Sequence, residues 1–181
     1  MKESNALDEF RIMATFPNGG LVMIHRLVSE TDSDYTKLLS IANFFAQQGR
    51  TVVLTPKMKR PPQFNYARIY GSLIGTKYED KCPDMMIYGV WYEHEGFTSA
   101  NPKRAFRNML AHGLKQSSRL IIDAPGLTYR YMKRVIYNRV NTNQDIDEIL
   151  IRESTGLIIE LYKKQMVDIA INQCWQRIGS H

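Results

Sequence analysis

Apolar and polar positions alternate in two rhythms along this chain, and the switches between them mark out its elements. Pro17-Asn18-Gly19-Gly20 reads as a turn, and residues 21–28 follow as an apolar run of strand length. Ser33 or Asp34 offers a cap for a helix whose Leu38, Leu39, Ile41, Ala42, Phe45 and Ala46 recur at helical spacing, with Gly49 beyond its end. Residues 51–55 are short and β-branched, a buried strand stopped by Pro56. Residues 84–88 and 90–95 flank Gly89 as a tight hairpin. Pro102 suits the first position of a helix with Ala105, Phe106, Met109, Leu110 and Leu114 on one stripe. Arg104, Asn108, His112 and Gln116 form the opposite stripe. Residues 120–123 then read as a buried strand and 128–140 as a basic helix. A last hairpin covers 149–152 and 157–161, and a final helix over 164–178 buries Val167, Ile171, Cys174 and Trp175. Two stretches fit neither rhythm. Residues 1–16 read as an amphipathic lead-in, and 56–83, with Pro61-Pro62, as a long connection of the kind that carries function in compact domains.

This order of strands and helices predicts an α/β sandwich, a mixed central β-sheet flanked by helices. A length of 181 residues suits one domain over 1–181, with a core at 19–163 and the final helix beyond it. The 44% hydrophobic and 23% charged fractions exclude a disordered or coiled-coil class. Charges or turn residues interrupt every apolar run before it reaches membrane-spanning length. The first residues are acidic with no apolar stretch, so no signal peptide is expected. Cys82 and Cys174 fit no zinc or CxxC spacing, which points to a reduced, cytoplasmic setting with no membrane partner.

Charge changes the picture once it is divided. The net value is +6, yet residues 1–34 hold three basic and six acidic side chains. Residues 50–82 hold seven basic against two acidic, and 103–139 nine basic against Asp123 alone. Such asymmetry suits a polyanion, nucleic acid above all, and its alternative is a solvated basic face. The candidate backbone contacts are Lys57, Lys59, Arg60, Lys103, Arg104, Arg107, Lys115, Arg130, Lys133 and Arg134. Phe64, Tyr66, Tyr70 and Tyr78, and then Tyr129, Tyr131 and Tyr137, lie among these cations. There they either stack on unpaired bases or complete helix-to-sheet packing.

Glycine-rich phosphate loops, GxSxG elbows and HExxH pairs are missing. What remains is the hairpin. Gly89 lets Asp84 approach Glu93, and alternation puts Trp91, Glu93 and Glu95 on one face and Val90, Tyr92 and His94 on the other. Converging carboxylates repel unless a cation offsets them, and their hard oxygens suit Mg²⁺ or Mn²⁺. The alternative is that Glu93 and Glu95 pair with Lys103, Arg104 or Arg107.

Pro83-Asp84, a short strand, Gly89 and Glu93 with an acidic residue two positions on resemble the PD-(D/E)xK nuclease signature. From about Gly19 to Asp123 the chain also resembles the C-terminal nuclease and tRNase domains of contact-dependent inhibition and other polymorphic toxins. The matching text is residues 41–56, Pro83-Asp84, residues 89–93 and the stretch from Gln116 to Asp123. The resemblance implies a restriction-endonuclease-like fold, Asp84 and Glu93 as metal ligands, and Gln116 as a helper on the phosphate or the metal side. It also implies Mg²⁺ or Mn²⁺ as cofactor and an immunity protein as a partner.

One departure is large, because Glu95 stands where the motif has its lysine. A nearby cation (Lys103, Arg104 or Lys57) takes over that role, or His94 or His112 acts as base, or activity is lost. His94 points away from Glu93 in a strand, which favours His112. The leading expectation is a metal-dependent nuclease of RNA or DNA, as a toxin-type effector or mobile-element protein, with Asp84, Glu93, Glu95, Gln116 and His112 at its site. A non-catalytic nucleic-acid-binding relative of the same fold and a basic protein-interaction domain stay open beside it.

Overall fold

A computed structural model describes residues 9–58, 63–96, 100–124, 126–142 and 145–164, without the side chains of 63–65, and every structural statement concerns these residues. Lys59, Arg60 and, Lys164 apart, the final helix with Cys174 lie outside them.

Eight strands stand side by side in chain order as one mixed sheet: β1 (Phe10–Thr15), β2 (Leu21–His25), β3 (Thr51–Leu54), β4 (Met85–Ile87), β5 (Val90–Glu95), β6 (Arg119–Asp123), β7 (Glu148–Arg152) and β8 (Ile158–Lys163). Parallel neighbours need a crossover, and each parallel step here has a helix. α1 (Tyr35–Ala46) links β2 to β3, α3 (Pro102–Gly113) links β5 to β6, and α4 (Tyr129–Val140) links β6 to β7. The remaining neighbours are antiparallel and close through turns or loops. This is the α/β architecture expected from the pattern, and α1, β3, β4, β5, α3 and β6 come in the order expected around the hairpin.

The strands' two-residue period divides the core. Val22, Ile24, Val52, Leu54, Met85, Ile87 and Tyr92 pack under the apolar stripe of α1. On the other face Leu120, Ile122, Ile149 and Ile151 lie under Phe106, Met109 and Leu110 of α3 and Met132 and Ile136 of α4. Burying one such side chain stabilises by about 1.5–3 kcal/mol, so these two layers hold the sheet.

Two stretches depart from expectation. The lead-in contains β1, whose Arg11, Ile12 and Met13 are exposed. An edge strand with little to bury carries no alternation to read. The connection 56–83 contains α2 (Gln63–Tyr70) and a 3₁₀ turn (Gly71–Leu73). Tyr66, Tyr70 and Leu73 bury together beside Trp91, and the Tyr70 hydroxyl donates to the Pro56 carbonyl at 2.7 Å. Tertiary burial of two tyrosines, rather than intrinsic helix preference, makes this helix. Tyr66 and Tyr70 therefore serve packing and are no platform for bases.

The turn of the β4–β5 hairpin fixes the register on which the carboxylates depend. Tyr88 and Gly89 both have positive φ, 50° and 80°, the two-residue I′ geometry whose twist matches the flanking strands. It sets Ile87 opposite Val90, Met86 opposite Trp91 and Met85 opposite Tyr92. One step further, Asp84 stands opposite Glu93. No helix among the described residues is long and apolar enough to cross a membrane.

Candidate metal and phosphate site

Asp84 enters the sheet just ahead of β4, where its carbonyl accepts the Thr55 amide at 3.0 Å. Its carboxylate accepts the His94 amide at 3.0 Å through Oδ2, while the buried Oδ1 has no hydrogen-bond partner. Glu93, in the middle of β5, is 8% exposed, and its Oε2 is likewise buried without a partner. Burial holds the Asp84 carboxyl above the usual aspartate range, against the pull of the Lys57 ammonium and the His94 amide. For Glu93, burial and then the like charges of Asp84 and Glu95 push the carboxyl well above the ordinary range. Two desolvated acids, Glu93 with an acceptor oxygen that lacks a hydrogen-bond partner and Asp84 with a lysine ammonium 3.6 Å from its own, form an electrostatic hole that a cation relieves.

Among the described residues, Lys57 is the ammonium beside Asp84. It follows β3 and stands 3.6 Å from Asp84 Oδ1 and 3.5 Å from Asp34, with 57% of its side chain exposed. Partial burial would lower its pKa, but Asp84, Asp34 and Glu93 outweigh that and raise it, so it is charged at neutral pH. The sequence offered Lys57, Lys103 and Arg104 as substitutes for the motif lysine. Lys57 is the one placed against Asp84.

Glu95 lies on the same face as Glu93, as alternation predicted, and bonds His112 Nδ1 at 2.6 Å rather than Lys103, Arg104 or Arg107. Burial raises the Glu95 carboxyl and the bond to His112 opposes the rise. The close approach depends on Gly113: a Cβ there would stand 2.8 Å from a Leu120 methyl and 3.0 Å from the Glu95 Cγ. Glu95 is thus held by a histidine. Among the described residues no three His, Cys, Asp or Glu side chains converge closely enough to form a metal cluster by themselves.

The opposite face of β5 is arranged differently. His94 points away from Glu93, as expected, and its Nε2 meets Asp123 Oδ1 at 3.1 Å. Arg152 donates to the same oxygen at 2.7 Å, and Lys37 stands 3.1 Å from Oδ2. Burial alone would raise Asp123, but His94, Arg152 and Lys37 hold its carboxyl far below the usual range. Sequence reasoning had no signal for this cluster, because its members come from α1, β5, β6 and β7.

Gln116 is a correction. α3 ends at Gly113, so the i+4 stripe that placed Gln116 beside His112 breaks one turn early. Gln116 instead lines a cavity of about 240 Å³ with Gly89, Val90 and Trp91, at the opposite end of β5 from Glu95. It has no place beside Asp84 and Glu93. Lys103, Arg104, Arg107 and Lys115 of α3 and its end, and Arg130, Lys133 and Arg134 of α4, are all exposed on the sheet face that carries Glu93 and Glu95. The Lys103 and Arg134 cations both stand 5.5 Å from the Tyr131 ring, and Tyr129 and Tyr137 are exposed beside them.

No family model and no curated protein matches the chain. A CdiA-CT/CdiI toxin and immunity complex from Burkholderia pseudomallei has a chain that aligns with 75% of this one and 89% of itself, at 16% identity and a TM-score of 0.45. At that distance the likeness carries no assignment of function, which rests on the side chains alone.

Proposed function

We propose that this chain is a divalent-metal-dependent phosphodiesterase of nucleic acid. One observation carries the reading. Asp84 and Glu93 stand on the two arms of the β4–β5 hairpin, both buried, with Glu93 Oε2 lacking a hydrogen-bond partner among the described residues and Asp84 Oδ1 met by the Lys57 ammonium at 3.6 Å. They would hold Mg²⁺ or Mn²⁺, whose remaining ligands would be phosphate and water, as such hard cations favour. Bound there, the ion supplies Lewis-acid polarisation of the phosphate and a more acidic water.

The chain's own groups supply the rest. Lys57 bears a positive charge beside the carboxylate pair, and its exposed stem lets the ammonium turn from Asp34 to a phosphate oxygen, where developing charge would be stabilised. His112 meets Glu95 through Nδ1, which would leave its exposed Nε2 as the nitrogen that takes up a proton. The exposed cations of α3 and α4, the helices that cover the same sheet face, would hold the backbone by phosphate contacts. The sequence resemblance to polymorphic-toxin nucleases extends the reading to an effector with an immunity protein as partner.

Incubation with tRNA, single-stranded DNA and duplex DNA, with Mn²⁺ and with chelator, tests it. Cleavage that needs Mn²⁺ and disappears in Glu93→Gln is expected, and inertness of the wild type with Mn²⁺ on all three overturns it. The second reading, a silent nucleic-acid binder, draws on Glu95 standing at the lysine position. It expects binding that falls steeply with salt and no cleavage.

A further inference from the structure

Beside the carboxylate pair a cavity of about 450 Å³ opens between the end of β2, the start of α1 and the end of β3, a size typical of small-molecule sites. Asp84 and Lys57 form its inner wall, so the cavity is continuous with the groups that would meet the scissile phosphate. Leu27, Leu38 and Pro56 make apolar walls, and the Tyr35 ring lines it as well. Two carboxylates, Asp32 and Asp34, stand at the rim. Asp34 occupies the N-cap position of α1 yet makes no capping hydrogen bond, a contact that an aspartate there ordinarily makes. Its side chain is instead turned to Lys57 at 3.5 Å. Asp84, 3% exposed, lines the same cavity, with the Lys57 ammonium 3.6 Å from its buried Oδ1.

The chemistry of this lining is selective. With three carboxylates and one ammonium beside apolar walls, it favours a flat, partly apolar group that presents hydrogen-bond donors. Unpaired bases are read in this way, by stacking and by contacts to the Watson–Crick edge. Among the four bases only guanine offers two adjacent donors there, N1–H and N2–H₂, which match the two oxygens of one carboxylate. Cytosine and adenine pair one amino group with an acceptor that a carboxylate repels, and uracil flanks one imino group with two acceptors.

We infer that this cavity is a base-specificity pocket that takes an unpaired guanine next to the scissile phosphodiester, with Asp34 and Asp32 as its reading groups. The inference rests on the phosphodiesterase reading for its substrate but is tested apart from cleavage. Isothermal titration of the protein in EDTA with GMP, IMP, AMP, CMP and UMP removes any part played by a metal ion. GMP is expected to bind roughly tenfold or more tightly than AMP, CMP and UMP, as loss of a good bidentate pair implies, with IMP, which lacks the 2-amino group, in between. Asp32→Asn/Asp34→Asn, with a melting temperature showing that it is folded, should erase the gap. Equal affinities for all five, no binding, or a GMP preference that survives the double substitution would overturn the pocket. A protein that prefers GMP but cleaves nothing would sink the phosphodiesterase reading and keep the pocket. Cleavage with no base preference in binding would do the reverse.

Discussion

Two acidic centres hang on consecutive residues of one strand and differ in nearly every electrostatic respect. On one side of β5, His94 joins Arg152 and Lys37 around Asp123, and each oxygen of that carboxylate has a cationic or hydrogen-bonding neighbour. On the other side, Asp84 and Glu93 are more deeply buried, repel each other, and share one lysine that Asp34 also claims. Burial is common to both, so burial alone marks neither as functional. What separates them is satisfaction. The Asp123 network is complete and holds strands together, whereas the Asp84–Glu93 pair has the half-exposed Lys57 to offset two buried acids, and Glu93 Oε2 has no hydrogen-bond partner among the described residues.

The contrast breaks first on activity. Glu93→Gln should cut Mn²⁺-dependent cleavage by about a thousandfold, the scale of losing a group that organises transition-state charge, while Asp123→Ala should cut it only through lost stability; initial rates at a temperature where both are folded decide this. Stability should respond in the opposite sense. Asp123→Ala leaves the buried His94 and Arg152 without their anion and should cost about 3 kcal/mol in urea unfolding, whereas Glu93→Gln should leave the metal-free protein as stable as the wild type or more so. Third, Lys57→Ala should lower the turnover rate by about a hundredfold with little change in Mn²⁺ affinity. A wild-type rate in that variant would move the lysine's role elsewhere.

The smallest effect is on pH dependence. Glu93 has its folded pKa raised, so it favours the folded state fully at acid pH, and that contribution is lost as pH rises through the raised value. Asp123 has its folded pKa lowered, so its contribution is present at neutral pH and lost as pH falls into the strongly acid range. Metal-free wild type should therefore lose stability as pH rises above the ordinary glutamate range. Glu93→Gln should flatten that slope, and saturating Mn²⁺ should reverse it; melting curves across pH report both.

Much of the fold was legible because its signals are local. The Tyr88-Gly89 turn and the alternation along 90–95 put Glu93 and Glu95 on one face and His94 on the other, and the structure agrees. β1 and α2 were not legible, since one buries little and the other is held by tyrosines reaching distant partners. The site was half visible for the same reason. Asp84 and Glu93 are close neighbours in sequence joined by one turn, but Lys57 and Asp34 reach them only through β3 and α1, and no sequence pattern measures that distance. Gln116 was carried over from the family resemblance, and no local pattern showed that α3 ends at Gly113 and leaves it at the far end of β5.

The I′ loop at Tyr88 and Gly89 acts as a ruler for the chemistry. Side chains change faces at every residue of a strand, so inserting or deleting a single position in that loop would slide the pairing by one notch. His94 would then stand where the acid now meets Asp84, and the two carboxylates would be parted by the full thickness of the sheet. Selection for hydrolysis would thus be written into the length of a loop that touches no substrate.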